Sequence, residues 1–122
     1  MIGYVTLGTN DLARAATFYD ALLGEIGAGR FMESDKFIAW GTGPNSPGIG
    51  LIYPNDGKPA TVGNGVMVAI VVDSQEKVQA LHAKALALGG KDEGAPGLRG
   101  GGFYAGYFRD LDGNKLNAFC MG

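Results

Sequence analysis

The 122-residue sequence predicts an α+β fold built from two βαβββ modules. Three observations carry that expectation. A strand-like run, a helix-period run and three further strand-like runs occur in that order, and the order then begins again. Hydrophobic residues make up 46% and charged residues 18%, which is enough apolar material for a core. Glycine fills 22 positions, dispersed among the strand-like runs as turns and bulges and not gathered into a linker.

Gly3 to Leu7 is β-branched and apolar, and Asn10 is the expected N-cap of the following helix, with Asp11 in its first turn. Leu12, Ala15, Ala16, Tyr19, Leu22, Leu23 and Ile26 share one helical face, and Gly24 or Gly27 ends it. Strands follow at Arg30 to Glu33, Phe37 to Gly41 and Gly48 to Tyr53, punctuated by Ser34-Asp35 and by the Gly43 to Pro47 stretch. After polar Pro54 to Gly63, the continuous apolar run Val66 to Val72 suits a strand buried on both faces. Asp73 is expected to cap the second helix, with Glu76 in a capping-box relation. Val78, Leu81, Ala85 and Leu88 form its buried stripe, and Gly89-Gly90 stops it. Strands near Lys91 to Glu93, at Phe103 to Arg109 and at Lys115 to Phe119 complete the second module, with Asp112-Gly113 as a tight turn. The modules run over about 1–57 and about 64–122, and both are small enough that a shared core in a single domain, 1–122, is expected.

Charge and cysteine content narrow the partners. Ten Lys and Arg stand against twelve Asp and Glu, a net charge of -2, so neither nucleic acid nor a membrane surface is an expected partner. No uninterrupted apolar stretch has spanning length, and Met1 to Asp11 lacks the pattern of a secretory leader. The one cysteine, Cys120, has no partner for an internal disulfide, which suits a reducing, cytoplasmic setting.

The order of elements, with the segments Tyr4-Val-Thr-Leu-Gly-Thr-Asn-Asp-Leu and Phe18-Tyr-Asp-Ala-Leu-Leu23, resembles the vicinal oxygen chelate superfamily of glyoxalase I, bleomycin-resistance proteins and extradiol dioxygenases. Asp110-Leu-Asp-Gly-Asn-Lys-Leu116 is close to that family's Asp-Pro-Asp-Gly-Asn-x-Leu signature, with Leu111 in place of proline. The resemblance covers essentially the whole chain and implies paired modules forming a curved mixed sheet around a cavity. It also implies a homodimer. In metal-using members, ligands enter the cavity from the first and last strands of each module, and the resemblance carries those positions onto Tyr4, Gly50, Met67 and Asn117. A phenol, a missing side chain, a thioether and an amide replace the His, Glu or Gln found there, so no metal cofactor is expected.

Strand alternation gives the same placement independently. Tyr4 and Thr6 share one face while Val5 and Leu7 turn toward a helix; Met67 and Ala69 oppose Val66, Val68 and Ile70; Asn117 and Phe119 oppose Leu116 and Ala118. The expected ligand-binding residues are Tyr4, Thr6, Trp40, Met67, Arg99, Tyr107 and Asn117, although parity alone does not choose between Tyr104 and Tyr107. A small organic ligand bound without metal is the leading function. The alternatives are a glyoxalase-like lyase or dioxygenase with an atypical metal site, or a metal-independent enzyme using Tyr4 or Arg99 for proton transfer or oxyanion stabilisation.

Other reactive groups read as structural. His82, the single histidine, falls mid-helix, and no Gly-x-Ser-x-Gly elbow exists to build a hydrolase around it. Cys120 shares parity with Leu116 and Ala118, so it is expected to be a buried thiol facing a helix. Asp110 to Asn114 lacks the donors of a calcium loop and reads as a hairpin turn, and Gly97 to Gly102 reads as a flap over the cavity or a backbone anion nest.

Overall fold

The computed structural model describes residues 1–122. Its elements are β1 (Tyr4–Gly8), α1 (Leu12–Gly24), β2 (Gly29–Glu33), β3 (Phe37–Gly41), β4 (Gly48–Ile52), β5 (Val68–Val71), α2 (Gln75–Ala87), β6 (Lys91–Leu98), β7 (Phe103–Arg109) and β8 (Lys115–Met121). The chain divides into two compact units, Met1–Val62 and Gly63–Gly122, each a complete βαβββ module. Each unit holds one four-stranded mixed sheet, ordered β1-β4-β3-β2 in the first and β5-β8-β7-β6 in the second. The β1–β4 and β5–β8 pairs are parallel and the rest antiparallel, so the fold class is α+β as the sequence predicts.

In the first unit, alternation assigns Leu7, Ile38, Trp40 and Leu51 to the face under α1, and all four are buried. The facing side of α1 contributes Leu12, Ala15, Ala16, Phe18, Tyr19, Leu22 and Leu23, as its periodicity predicts except that Phe18 joins the stripe and Ile26 falls beyond the helix end and is only half-buried. Asp11, not Asn10, is the N-cap and accepts from the Arg14 N–H at 3.1 Å. Asn10 exchanges two hydrogen bonds with the Ala60 backbone instead, donating at 3.2 Å and accepting at 2.6 Å. An amide can do both, whereas the acceptor-only carboxylate of Asp11 suits a helix N-terminus. The Tyr53 hydroxyl accepts from the Leu12 N–H at 3.0 Å, meeting another of that end's free donors.

One polar knot fastens α1 to the sheet. Trp40 is only 1% exposed, and its indole N–H donates to Asp20 Oδ1 at 2.8 Å. Arg30 donates to both oxygens of the same carboxylate, at 2.9 and 2.8 Å, and its guanidinium lies 5.8 Å from the Trp40 ring centroid. The Arg30 hydrogen bonds, assisted by that from Trp40, hold the Asp20 carboxyl below the usual carboxylate range.

In the second unit Ser74 caps α2, accepting from the Lys77 N–H at 3.2 Å, while Asp73 pairs with the Lys77 ammonium at 2.9 Å. The buried stripe is Val78, Leu81, His82 and Ala85; Leu88 falls at the C-cap, and Gly89 turns the chain at φ +100°. Ile70, Tyr104, Phe108, Leu116, Ala118 and Cys120 form the buried sheet face, which confirms the buried thiol. His82 Nε2 meets Asp92 Oδ1 at 3.0 Å, a structural role consistent with its place on the helix.

Three expectations need correction here. The strand expected over Val66 to Val72 spans only Val68–Val71, and it is not buried on both faces, since Ile70 is buried while Val71 is 68% exposed. The strand near Lys91 runs on to Leu98, and Gly94 and Pro96, which hide it in the sequence, sit where the pairing register shifts. The Gly97–Gly102 segment is the end of β6 and a hairpin turn, not a flap. Arg99 N–H donates to the Phe103 carbonyl at 2.7 Å, and Gly100, Gly101 and Gly102 all have positive φ. Asp110 to Asn114 is the hairpin turn expected: Asp110 Oδ1 accepts from the Asp112 and Asn114 N–H groups, each at 2.9 Å.

Asp20→Ala strands the buried indole N–H of Trp40 and is expected to cost about 1–3 kcal/mol in urea unfolding. Because the folded-state pKa of Asp20 is lowered, its contribution is complete above the unfolded carboxylate pKa of about 3.9 and is lost as pH falls through the folded value. Asp20→Asn keeps an acceptor for Trp40 but should show a flatter loss of stability below about pH 4 than the parent chain.

Candidate functional site

Each sheet has one face under its helix and one open face, and the expected ligand residues divide between them. In the first unit Tyr4 pairs with Gly48 and Thr6 with Gly50, all on the open face with Phe37 and Ala39. Tyr4 is 61% exposed and meets the Phe37 ring edge-on at 6.1 Å. A Cβ at Gly50 would lie 2.5 Å from the Phe37 ring, and one at Gly48 would lie 3.0 Å from the Phe31 ring. These two rings therefore occupy the space that side chains on β4 would fill. Beside them is a groove of about 730 Å³ whose lining includes Tyr4, Arg30, Phe31 and Pro44. Trp40, expected in a pocket, lies on the opposite face in the helix-side core, because its parity matches Ile38 and its indole N–H is committed to Asp20.

In the second unit the open face carries Ala69, Asn117 and Tyr107 in register across β5, β8 and β7. Tyr104, the alternative left open by parity, turns to the helix side, where its hydroxyl accepts from Gln79 at 2.8 Å. Met67 precedes β5 and is 39% exposed, so it belongs to the approach to this face and not to the strand. Asn117 is 1% exposed, yet neither its amide nitrogen nor its amide oxygen has a hydrogen-bond partner within the chain. Leaving such a group unpaired costs on the order of 1–3 kcal/mol.

Arg99 lies against Tyr107, its guanidinium carbon 5.5 Å from the ring centroid, with the Lys115 ammonium at 5.3 Å from the same centroid. Nearby, Arg109 donates to Glu93 at 2.6 Å and is the main reason the Glu93 carboxyl is held below its usual range. Arg99, Tyr107, Lys115 and Glu93 line a groove of about 630 Å³. The sequence reading missed Glu93 and Lys115 here, and Phe31 and Phe37 in the first unit. Lys115 has the parity of Asn117 and Phe37 that of Ala39, so both were within reach of an alternation argument. Phe31 lies at the β2 register shift, which alternation does not reveal.

The Glyoxalase/Bleomycin resistance protein/Dioxygenase superfamily profile matches residues 1–118. The chain belongs to this superfamily. It is similar over 100% of its length, at 36% identity and a TM-score of 0.91, to 99% of a glyoxalase/bleomycin resistance protein from Albidiferax ferrireducens T118. Two more distant structures share the fold. A lactoylglutathione lyase from Agrobacterium tumefaciens has 21% identity and a TM-score of 0.73, with 98% of this chain and 92% of that one covered. A fosfomycin resistance protein from Listeria monocytogenes has 17% identity and a TM-score of 0.76, with 100% and 93% covered. A search of curated protein sequences gives no significant match. No helix is long and apolar enough to cross a membrane.

The metal site known from metal-using superfamily members does not fit these residues. No three His, Cys, Asp or Glu side chains gather to hold an ion. Gly50 has no donor and no room for one under Phe37, and Met67 offers only a soft thioether, so two of the four positions supply no ligand suited to a hard divalent ion. Gly50→Glu is expected to destabilise the chain by about 1–3 kcal/mol through overpacking against Phe37. Combining it with Phe37→Ala should recover about 1 kcal/mol or more relative to the sum of the single changes in a urea double-mutant cycle.

Proposed function

We propose that this superfamily member binds a small organic molecule without a resident metal, and that it does so as a cytoplasmic homodimer. The observation that carries the reading is Asn117: a buried amide with both polar atoms unpaired, at a position where metal-using relatives place a ligand. An unpaired amide is costly in an empty protein and useful to one whose ligand supplies the missing donor and acceptor. In the second unit Tyr107, Arg99 and Met67 are the proposed neighbours of that contact. In the first, Tyr4 and Thr6 are the proposed contacts, among the Phe31 and Phe37 rings. The exposed apolar side chains on the open faces, including Tyr4, Phe31 and Met32, and Val71 and Met121, support a second copy of the chain as covering partner.

Buried Trp40, already hydrogen-bonded to Asp20, is a poor reporter for this function, so metal content is the better test. After incubation with zinc, nickel or ferrous iron and exhaustive dialysis, elemental analysis should find far less than one metal per chain. Stoichiometric retention would contradict the proposal and favour a lyase or dioxygenase with an atypical metal site.

A further inference from the structure

The groove between β6, β7 and β8 holds more positive charge than it neutralises. Arg109 is matched by Glu93 at 2.6 Å; Lys115 acts on that same carboxylate through space without forming an ion pair, and the guanidinium of Arg99 has no carboxylate partner. Both nevertheless stand over the one Tyr107 ring, at 5.5 and 5.3 Å from its centroid. Each cation gains only a modest cation–π attraction there, on a protein of net charge -2. Such an arrangement gains most when an anion joins it.

Arg99 is also held in place. Its Nη2 donates to the Ala95 carbonyl at 2.5 Å. The strand beneath it is cleared of side chains: a Cβ on Gly94 would come within 3.4 Å of Nη2, and one on Gly97 within 3.2 Å of Nη1. The planar guanidinium thus rests in a glycine cradle against an aromatic ring, with donors left over from its single hydrogen bond. A fixed fork of donors matches the paired oxygens of a carboxylate or phosphate, and fixing it beforehand removes an ordering cost from binding.

We propose that Arg99 and Lys115 form a binding site for the oxyanionic group, carboxylate or phosphate, of a small organic ligand, in the groove they line with Tyr107. The volume of about 630 Å³ lies in the range of small-molecule sites. Tyr107 and Pro96 give the groove an apolar wall for the organic part. Asn117, the β8 register partner of Tyr107 and two residues from Lys115 on the same face, stands next to this site with its amide unpaired. The inference rests on the small-molecule reading above and names the chemical class of the ligand.

Isothermal titration of the whole chain with phenyl phosphate, benzoate, phenol and inorganic phosphate separates the possibilities. One or both aromatic anions should bind saturably in the millimolar range or tighter, roughly tenfold or more tightly than phenol. Arg99→Gln, on open surface, and Lys115→Gln, at a half-buried position, should each weaken that binding about fivefold or more and leave phenol unchanged, with circular dichroism confirming the fold. Phenol binding as tightly as the anions, or a double variant that binds them like the parent, would overturn the oxyanion site while leaving the small-molecule reading in place. Inorganic phosphate binding as tightly as phenyl phosphate would overturn the organic ligand in favour of a free-phosphate site. Absence of saturable binding by every oxyanion would overturn the inference outright. Failure of the broader reading shows separately, as metal retained through dialysis.

Discussion

Each four-stranded sheet has a single helix to cover it, and that shortage of cover governs everything else in the two units. A sheet has two faces and strands alternate between them, so residues of one parity pack under the helix and residues of the other have no helix over them. Under α1 and α2 the result is ordinary packing of Leu, Ile, Phe and Ala, with Trp40 and His82 each fastened to a carboxylate. The open faces carry the unusual features: aromatic rings lying over glycines on β4, two cations on one tyrosine, and a buried amide without a partner.

Because alternation is a local property, much of this was legible in the sequence. The parity of Tyr4 with Thr6, of Leu116 with Ala118 and Cys120, and of Asn117 with Phe119 was enough to sort core from open face before any contact was known. Trp40, expected among the ligand contacts, has the parity of Ile38, which already puts it on the helix side. What alternation does not carry is irregularity. The β2 register shift brings Phe31 onto the open face, and Gly94 and Pro96 conceal the length of β6. Nor does it reveal which neighbouring polar group a cap chooses, as Asn10 and Asp73 show by pairing with Ala60 and Lys77.

The chemistry of the site follows from what occupies four positions. Here the space above Gly50 belongs to Phe37, and the Asn117 amide has an unpaired donor and acceptor. The superfamily scaffold is retained at a TM-score of 0.91 to its relative from Albidiferax ferrireducens T118, while this chain's donor set is unsuited to a hard divalent cation. Fold and site are thus under separate constraints: the helix-side faces preserve the one, and the open faces are free to change the other.

Asn117 is proposed to be kept for a ligand and not for the fold. Urea unfolding of Asn117→Leu beside the parent chain, both free of ligand, tests it most directly. An apolar side chain of similar size removes the unpaired amide, so the variant should be as stable as the parent or more stable by about 1 kcal/mol. A loss of roughly 2 kcal/mol or more would show that the amide has a structural partner, and would contradict the account.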